Sequence, residues 1–133
     1  MKIHPPNKIY IGNSSVHGYG VFAKENITEG EIIEETPLYD LGMKPGESNS
    51  IMIDYRFNWP QGSGGAWTKQ VLPWGYGCVY NHSDTPNAYW RSNLENETFE
   101  FVASKDINID EEIFTYYGGS NYWNDGRGNK NIY

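Results

Sequence analysis

Helical periodicity is scarcely detectable anywhere in this chain. What recurs is a short run of β-branched and aromatic residues closed at its ends by Gly, Pro, Asn or Asp. In order the runs are KIYI, GVFA, EIIEETPLY, IMIDYRF, QVLPW, CVY, AYW, TFEFVA and EEIFTYY. They predict a mainly β, turn-rich fold, and at 133 residues the chain is one domain, 1–133, large enough for a single core. Aromatic residues at 16% suit that reading, because their rings pack well on pleated surfaces. Ser92–Phe101 reads as a hairpin turning at Leu94–Glu97, with Phe99 and Phe101 on one face of its second strand. Asp40–Ser50 and Asn58–Lys69, rich in Gly, Pro and Ser, read as long loops of the kind that carry function or move.

One internal echo bears on architecture. Ala23, Ile27, Glu31 and Ile32 of AKENITEGEII match Ala103, Ile107, Glu111 and Ile113 of ASKDINIDEEI, each copy reading as strand, polar turn, strand. Two copies cannot stack a continuous core, so the echo predicts a repeated device rather than a solenoid. Residues 124–133, NDGRGNKNIY, read as a tail.

Charge and composition exclude several function classes. A net charge of −7 is wrong for gripping nucleic-acid phosphates and favours a basic protein or peptide partner. Cys78 is the only cysteine, which leaves neither a disulfide framework nor a cysteine-based zinc site and fits an intracellular setting. His4, His17 and His82 lack metal-ligand spacing, so no metal is expected. No apolar run approaches the ~20 residues of a bilayer span, and MKIHPPNKIY lacks the apolar core of a signal peptide. A soluble protein with no membrane partner is expected; a homodimer is left open.

Three separated segments carry the chemistry: HGYGVFA at His17–Ala23, NHSDTPNA at Asn81–Ala88 and DEEIFTYYG at Asp110–Gly118. Taken alone, Asn-His-Ser before a Pro-Asn turn is ordinary capping chemistry. In this order and spacing the three resemble the SET-domain lysine methyltransferases, whose pattern is a Gly-x-Gly turn into Val-Phe-Ala, an Asn-His-Ser segment with Pro-Asn, and Glu-Glu-(Ile/Leu) leading to Tyr-Gly. The match runs from about Ile9 to Trp123. IDYRF, LPWGYGCVYNHS and YYGGSNYW are also similar to segments of the smallest, stand-alone viral members. There are departures: no cysteine-rich zinc modules, Cys78-Val79 where many members have Arg-Phe before Asn-His-Ser, and Tyr116 where a carboxylate or serine often precedes the last tyrosine.

The resemblance implies a β-fold of several short sheets with a knot-like threaded C-terminal segment, and S-adenosylmethionine as methyl donor. It implies Tyr117 as the catalytic tyrosine, with Tyr19, Tyr55, Thr115 and Tyr122 along the substrate-lysine channel. Gly18, Tyr19, Gly20, Asn81, His82 and Trp123 would bind the donor, the two glycines by letting backbone amides approach its carboxylate. A lysine of pKa ~10.4 is neutral at pH 7 only about once in 2,500 times, roughly 4.6 kcal/mol, so an apolar channel that strips its proton is part of the chemistry. The substrate implied is a basic protein, a histone tail first and a ribosomal protein second. The location implied is a host nucleus if the protein is viral and histone-directed, otherwise the cytoplasm.

Two other classes remain at this level: an aromatic-rich carbohydrate-binding β-module, and a SET-like module that binds donor or peptide without turnover. Tyrosine on a strand also packs as readily as it acts, which applies to Tyr19 and Tyr55. Thr115, two residues before Tyr117 and expected on the same strand face, predicts room for di- or trimethylation.

Overall fold

A computed structural model describes residues 2–43, 57–60 and 69–117. Every regular element among them is a strand: β1 (Ile9–Asn13), β2 (Tyr19–Ala23), β3 (Ile32–Met43), β4 (Phe57–Trp59), β5 (Lys69–Pro73), β6 (Asn81–His82), β7 (Ala88–Asn93), β8 (Thr98–Ala103) and β9 (Glu112–Thr115). No helix among these residues is long and apolar enough to cross a membrane. The strands form a four-stranded sheet, β1-β2-β9-β6, and a five-stranded sheet, β4-β5-β3-β8-β7. All pairings are antiparallel except β6 with β9, which runs parallel. Residues of both sheets share one core, from Ile9, Val21 and Ile113 to Val71, Phe99 and Phe101.

The expected hairpin is present: Leu94–Glu97 turn between β7 and β8, Glu97 takes a positive φ of 55°, and Phe99 and Phe101 are both fully buried. Phe57 and Trp90 pack edge to face beside Phe99. Three expectations need correction. Asp40–Met43 is not loop but the end of β3, paired with β5 through an irregularity at which Gly42 (φ 67°) donates its amide to Asp40 Oδ1 at 2.8 Å. Asn58 and Trp59 belong to β4, with Trp59 in the core. CVY is not a strand: Gly75 at φ 72° and the Val79 amide on the Tyr76 carbonyl (2.9 Å) make this stretch a turn, and pairing starts only at Asn81. The C-terminal segment expected to be threaded and most of IMIDYRF lie outside the described residues.

The internal echo is a local two-fold arrangement. Ile27 and Ile107 exchange both backbone hydrogen bonds at 2.8 Å. The Ala23 amide donates to the Glu111 carbonyl as the Ala103 amide donates to that of Glu31; Asp110 donates to Ala23 as Gly30 donates to Ala103. Asn26 Oδ1 caps the Ile109 amide and Asp106 Oδ1 caps that of Glu29, both at 2.8 Å. Gly30 (φ 88°) and Asp110 (φ 67°) occupy matching positions, and a short polar side chain is the usual alternative to glycine there. The paired turns bring β2 to β9 and thereby unite two of the three motif segments.

Candidate active site

The first motif folds around Ser14. Its Oγ accepts from the amides of Val16 (2.9 Å) and His17 (3.2 Å), its own amide donates to the Gly18 carbonyl (2.7 Å), and Gly18 closes the turn at φ 48°. Asn81, 4% exposed at the start of β6, holds this loop from below. Its Nδ2 stands 2.9 Å from the His17 carbonyl, 3.0 Å from that of Tyr19 and 3.0 Å from Glu112 Oε2. Glu112 on β9 closes the ring by accepting from Ser14 Oγ at 2.7 Å. Gly20 is what lets this assemble, since a Cβ there would stand 2.6 Å from Glu112 Oε2.

The second and third motifs meet as neighbouring parallel strands, Asn81 beside Phe114 and His82 beside Thr115, extended by the Ser83 amide on the Thr115 carbonyl (3.1 Å). Asn87 ties the same strand to the other sheet: its Nδ2 donates to the Glu112 carbonyl (2.9 Å), its Oδ1 accepts from Phe114 (2.7 Å), and its carbonyl accepts from Ser104 (2.9 Å). The chain leaves β9 at Tyr116 and Tyr117, and both tyrosines surround His82, ring centroids 5.2 and 5.3 Å away. The Tyr117 amide donates to His82 Nδ1 at 2.9 Å, so the ring carries its proton on Nε2, 2.9 Å from Asp84 Oδ1. The Tyr117 hydroxyl donates to the Tyr80 carbonyl. Tyr117 is thus fixed at both ends yet 38% exposed, and its oxygen turns lone pairs rather than a proton toward a group arriving from solvent.

Beneath Tyr80 the turn 75–79 covers a buried carboxyl. Glu34 of β3, 4% exposed, accepts from the Tyr80 hydroxyl at 2.7 Å and from the Tyr76 amide at 3.3 Å. Desolvation raises its pKa to about 7 against the pull of these two donors. Burial, with the Glu34 charge beside it, pushes the Cys78 thiol up to about 12, which leaves it an inert thiol.

Gly18, Tyr19, Gly20, Asn81, His82, Thr115 and Tyr117 are thus brought together, whereas Tyr55, Tyr122 and Trp123 lie outside the described residues. Three particulars differ from the sequence-based picture. The missing side chain of Gly20 makes room for Glu112. The Asn81 amide group is engaged by protein acceptors, so Asn81 organises the loop whatever else it touches. β9 ends at Thr115, which is 2% exposed, so Thr115 and Tyr117 are not alternating residues of one strand. Sequence reasoning missed Ser14, Glu34, Tyr80, Asn87 and Glu112 as working parts. Asn87 and Glu112 stood inside quoted motifs; Glu34 carried no signal.

A family model of the SET domain matches residues 18–118. A Schizosaccharomyces pombe histone-lysine N-methyltransferase, specific for lysine 37 of histone H3, is 29% identical over 111 residues, 81% of this chain and 71% of that protein. Among solved structures, a Plasmodium falciparum protein assigned as a histone methyltransferase is 39% identical with a TM-score of 0.66, covering 85% of this chain and 99% of that one.

Proposed function

The chain belongs to the SET-domain family, and we propose that it is an S-adenosylmethionine-dependent protein-lysine N-methyltransferase acting on a basic protein, with a histone tail as the first substrate to try. The observation that carries the reading is Tyr117: its hydroxyl engaged by the Tyr80 carbonyl, its amide by His82, and its partly exposed ring against His82, the residue that follows the loop-locking Asn81. The groups gathered there suit a cationic donor, being carbonyl oxygens, aromatic rings and the Glu112 carboxylate, with no Lys or Arg among the described residues in these contacts. Gly18, Tyr19, Gly20, Asn81 and His82 would hold the donor, with Trp123 as the adenine partner. When bound, it supplies an electrophilic methyl carried on a sulfonium.

Tyr117 would accept a hydrogen bond from the incoming amine or methyl without competing as a base, since its own proton is held by Tyr80. Tyr19, 55% exposed, would form one wall of the lysine channel, with Tyr55 and Tyr122 as further walls. Orientation of this kind supplies ~7 to 11 kcal/mol of barrier lowering in favourable cases. The net charge of −7 supports a basic substrate, and the histone specificity of the fission-yeast relative supports histones, with a nuclear location following from such a substrate. The test is calorimetry with S-adenosylmethionine, followed by incubation with histones, a ribosomal-protein extract and the protein itself, read by mass spectrometry. Donor binding with a 14 Da increment on lysine is expected; no donor binding at millimolar concentration defeats the reading.

A further inference from the structure

Glu34 is a carboxyl that methyl transfer does not touch, buried where β3 pairs with β8 opposite Phe101. The ring of Tyr80 lies stacked on Phe101, centroids 4.5 Å apart and planes 17° off parallel, and its hydroxyl ends on Glu34 Oε1. The carbonyl of the same residue accepts the Tyr117 hydroxyl, and β6 begins at the next residue. Gly75 allows the turn to close over the carboxyl, since a Cβ there would stand 2.9 Å from Glu34 Oε2.

We infer that Glu34 is a positioning residue: by pinning the tip of the Tyr80 ring it fixes the Tyr80 carbonyl and, through that carbonyl, the hydroxyl of Tyr117. The phenol gives leverage because Tyr80 is held by its face, its tip and its carbonyl at once, so releasing the tip frees the ring to move the backbone on which Tyr117 rests. The consequence for turnover rests on the methyltransferase reading, whereas the consequence for geometry does not.

The groups facing Glu34 are the Tyr80 hydroxyl, the Tyr76 amide and, nearby, the Cys78 thiol. Burial drives both the thiol and the Tyr80 phenol upward, away from neutrality, while Glu34 exchanges its proton at about 7. The Tyr80 carbonyl should therefore sense a titration near neutral pH.

The experiment uses carbonyl carbon-13 on Tyr and nitrogen-15 on Asn. Tyr80-Asn81 is the one Tyr-Asn step in the sequence, so a single carbonyl signal reports on Tyr80. Tyr117→Phe calibrates the shift caused by losing the hydroxyl contact. Glu34→Leu should move the signal in the same direction by at least half as much. Glu34→Gln, whose oxygen can still accept from Tyr80 although its amide then faces the Tyr76 amide, should stay near the parent position. The parent signal should step near pH 7 and the Gln variant should show no step. A folded Leu variant with an unmoved signal overturns the inference, and so does a step that survives in Glu34→Gln.

Should the single Leu variant fail to fold, Glu34→Leu with Tyr80→Phe removes both partners and leaves the stacking, an exchange that buried pairs tolerate. For this double variant kcat should fall at least fivefold with donor Kd within twofold of the parent. Parental turnover in the folded double variant overturns the inference. A parent that binds no donor defeats only the methyltransferase reading, and the carbonyl signal still decides the role of Glu34.

Discussion

Glu112 Oε2 lies 3.0 Å from Asn81 Nδ2, and the only residue that can sit beside that contact is one without a side chain, Gly20. Three segments distant in sequence are locked at one point, so each of the three should be costly to change for the same reason.

Replacing Asn81 by Ala leaves the His17 and Tyr19 carbonyls and the Glu112 carboxylate without their common donor. Stability should fall by ~1 to 3 kcal/mol, and S-adenosylmethionine affinity should fall with it as the Ser14–Gly18 turn loosens. Denaturant titration and calorimetry check this together. Unchanged values in both would show that something other than Asn81 holds the loop.

Gly20→Ala should act chiefly through Glu112, with Asn81 Nδ2 also crowded at 3.3 Å. The added Cβ meets the end of a flexible side chain, so the carboxylate moves and gives up Ser14 and Asn81. The cost should be about 1 to 2 kcal/mol, close to that of Glu112→Ala, and the two together should cost little more than Glu112→Ala alone. Additive losses in a double-mutant cycle would contradict this account.

For Tyr117→Phe we expect turnover at least tenfold lower, roughly 1.4 kcal/mol of barrier, with donor affinity nearly unchanged. Tyr116 shares the contact with His82, but the hydroxyl on Tyr80 belongs to Tyr117. Tyr116→Phe should therefore keep most of the activity, and single-turnover assays of the two variants side by side would expose an exchange of roles.

Glu34 makes stability fall with rising pH over a defined window. Its pKa is raised on folding from 4.5 to about 7, so the folded state holds the proton more tightly than the unfolded state. That contribution is fully present below about 4.5 and is lost as pH rises through about 7, amounting to about 3 kcal/mol by pH 8. Denaturant curves for the parent and Glu34→Gln should diverge over that range, the parent losing stability relative to the variant. Parallel curves would mean that the carboxyl is ionised throughout.

On the same strand, Thr36 buries a hydroxyl that has no hydrogen-bond partner among the described residues. Thr36→Val keeps the shape and removes the unsatisfied oxygen, so it should raise stability by about 1 kcal/mol. A loss of stability would reveal a partner for that hydroxyl.

What was legible in the sequence was local or came through the motif resemblance. Alternation in TFEFVA put Phe99 and Phe101 on one buried face of β8 but did not show that Thr98 and Val102 on the other face are buried too, and Gly18, Asn81, His82 and Tyr117 were visible because their segments carry a recognisable pattern. Glu34 was not legible because the register with β8 shifts between Ile32 and Glu34, which puts Ile33 and Glu34 inside in succession and breaks the period-two rule. Tyr80 read as a strand residue because its aromatic, β-branched surroundings fit a strand, whereas a glycine at positive φ and a turn hydrogen bond decide otherwise. The ring made by Ser14, Asn81 and Glu112 joins residues that no local pattern relates.

The paired turns around Ile27 and Ile107 also set the order in which this molecule can be made. β1 and β2 close on each other as soon as they are synthesised, but Val21 has no partner on its other side until Ile113 arrives. Until then β2 is an open sheet edge. Glu112 arrives with Ile113, so the loop around Gly18 cannot be locked in a nascent chain. Among the described strands β9 is the last in the chain, so the candidate site is completed only after the long closure that slows β-rich folding. A chain that stalls short of β9 carries two motif segments out of three and a strand edge open to any neighbour.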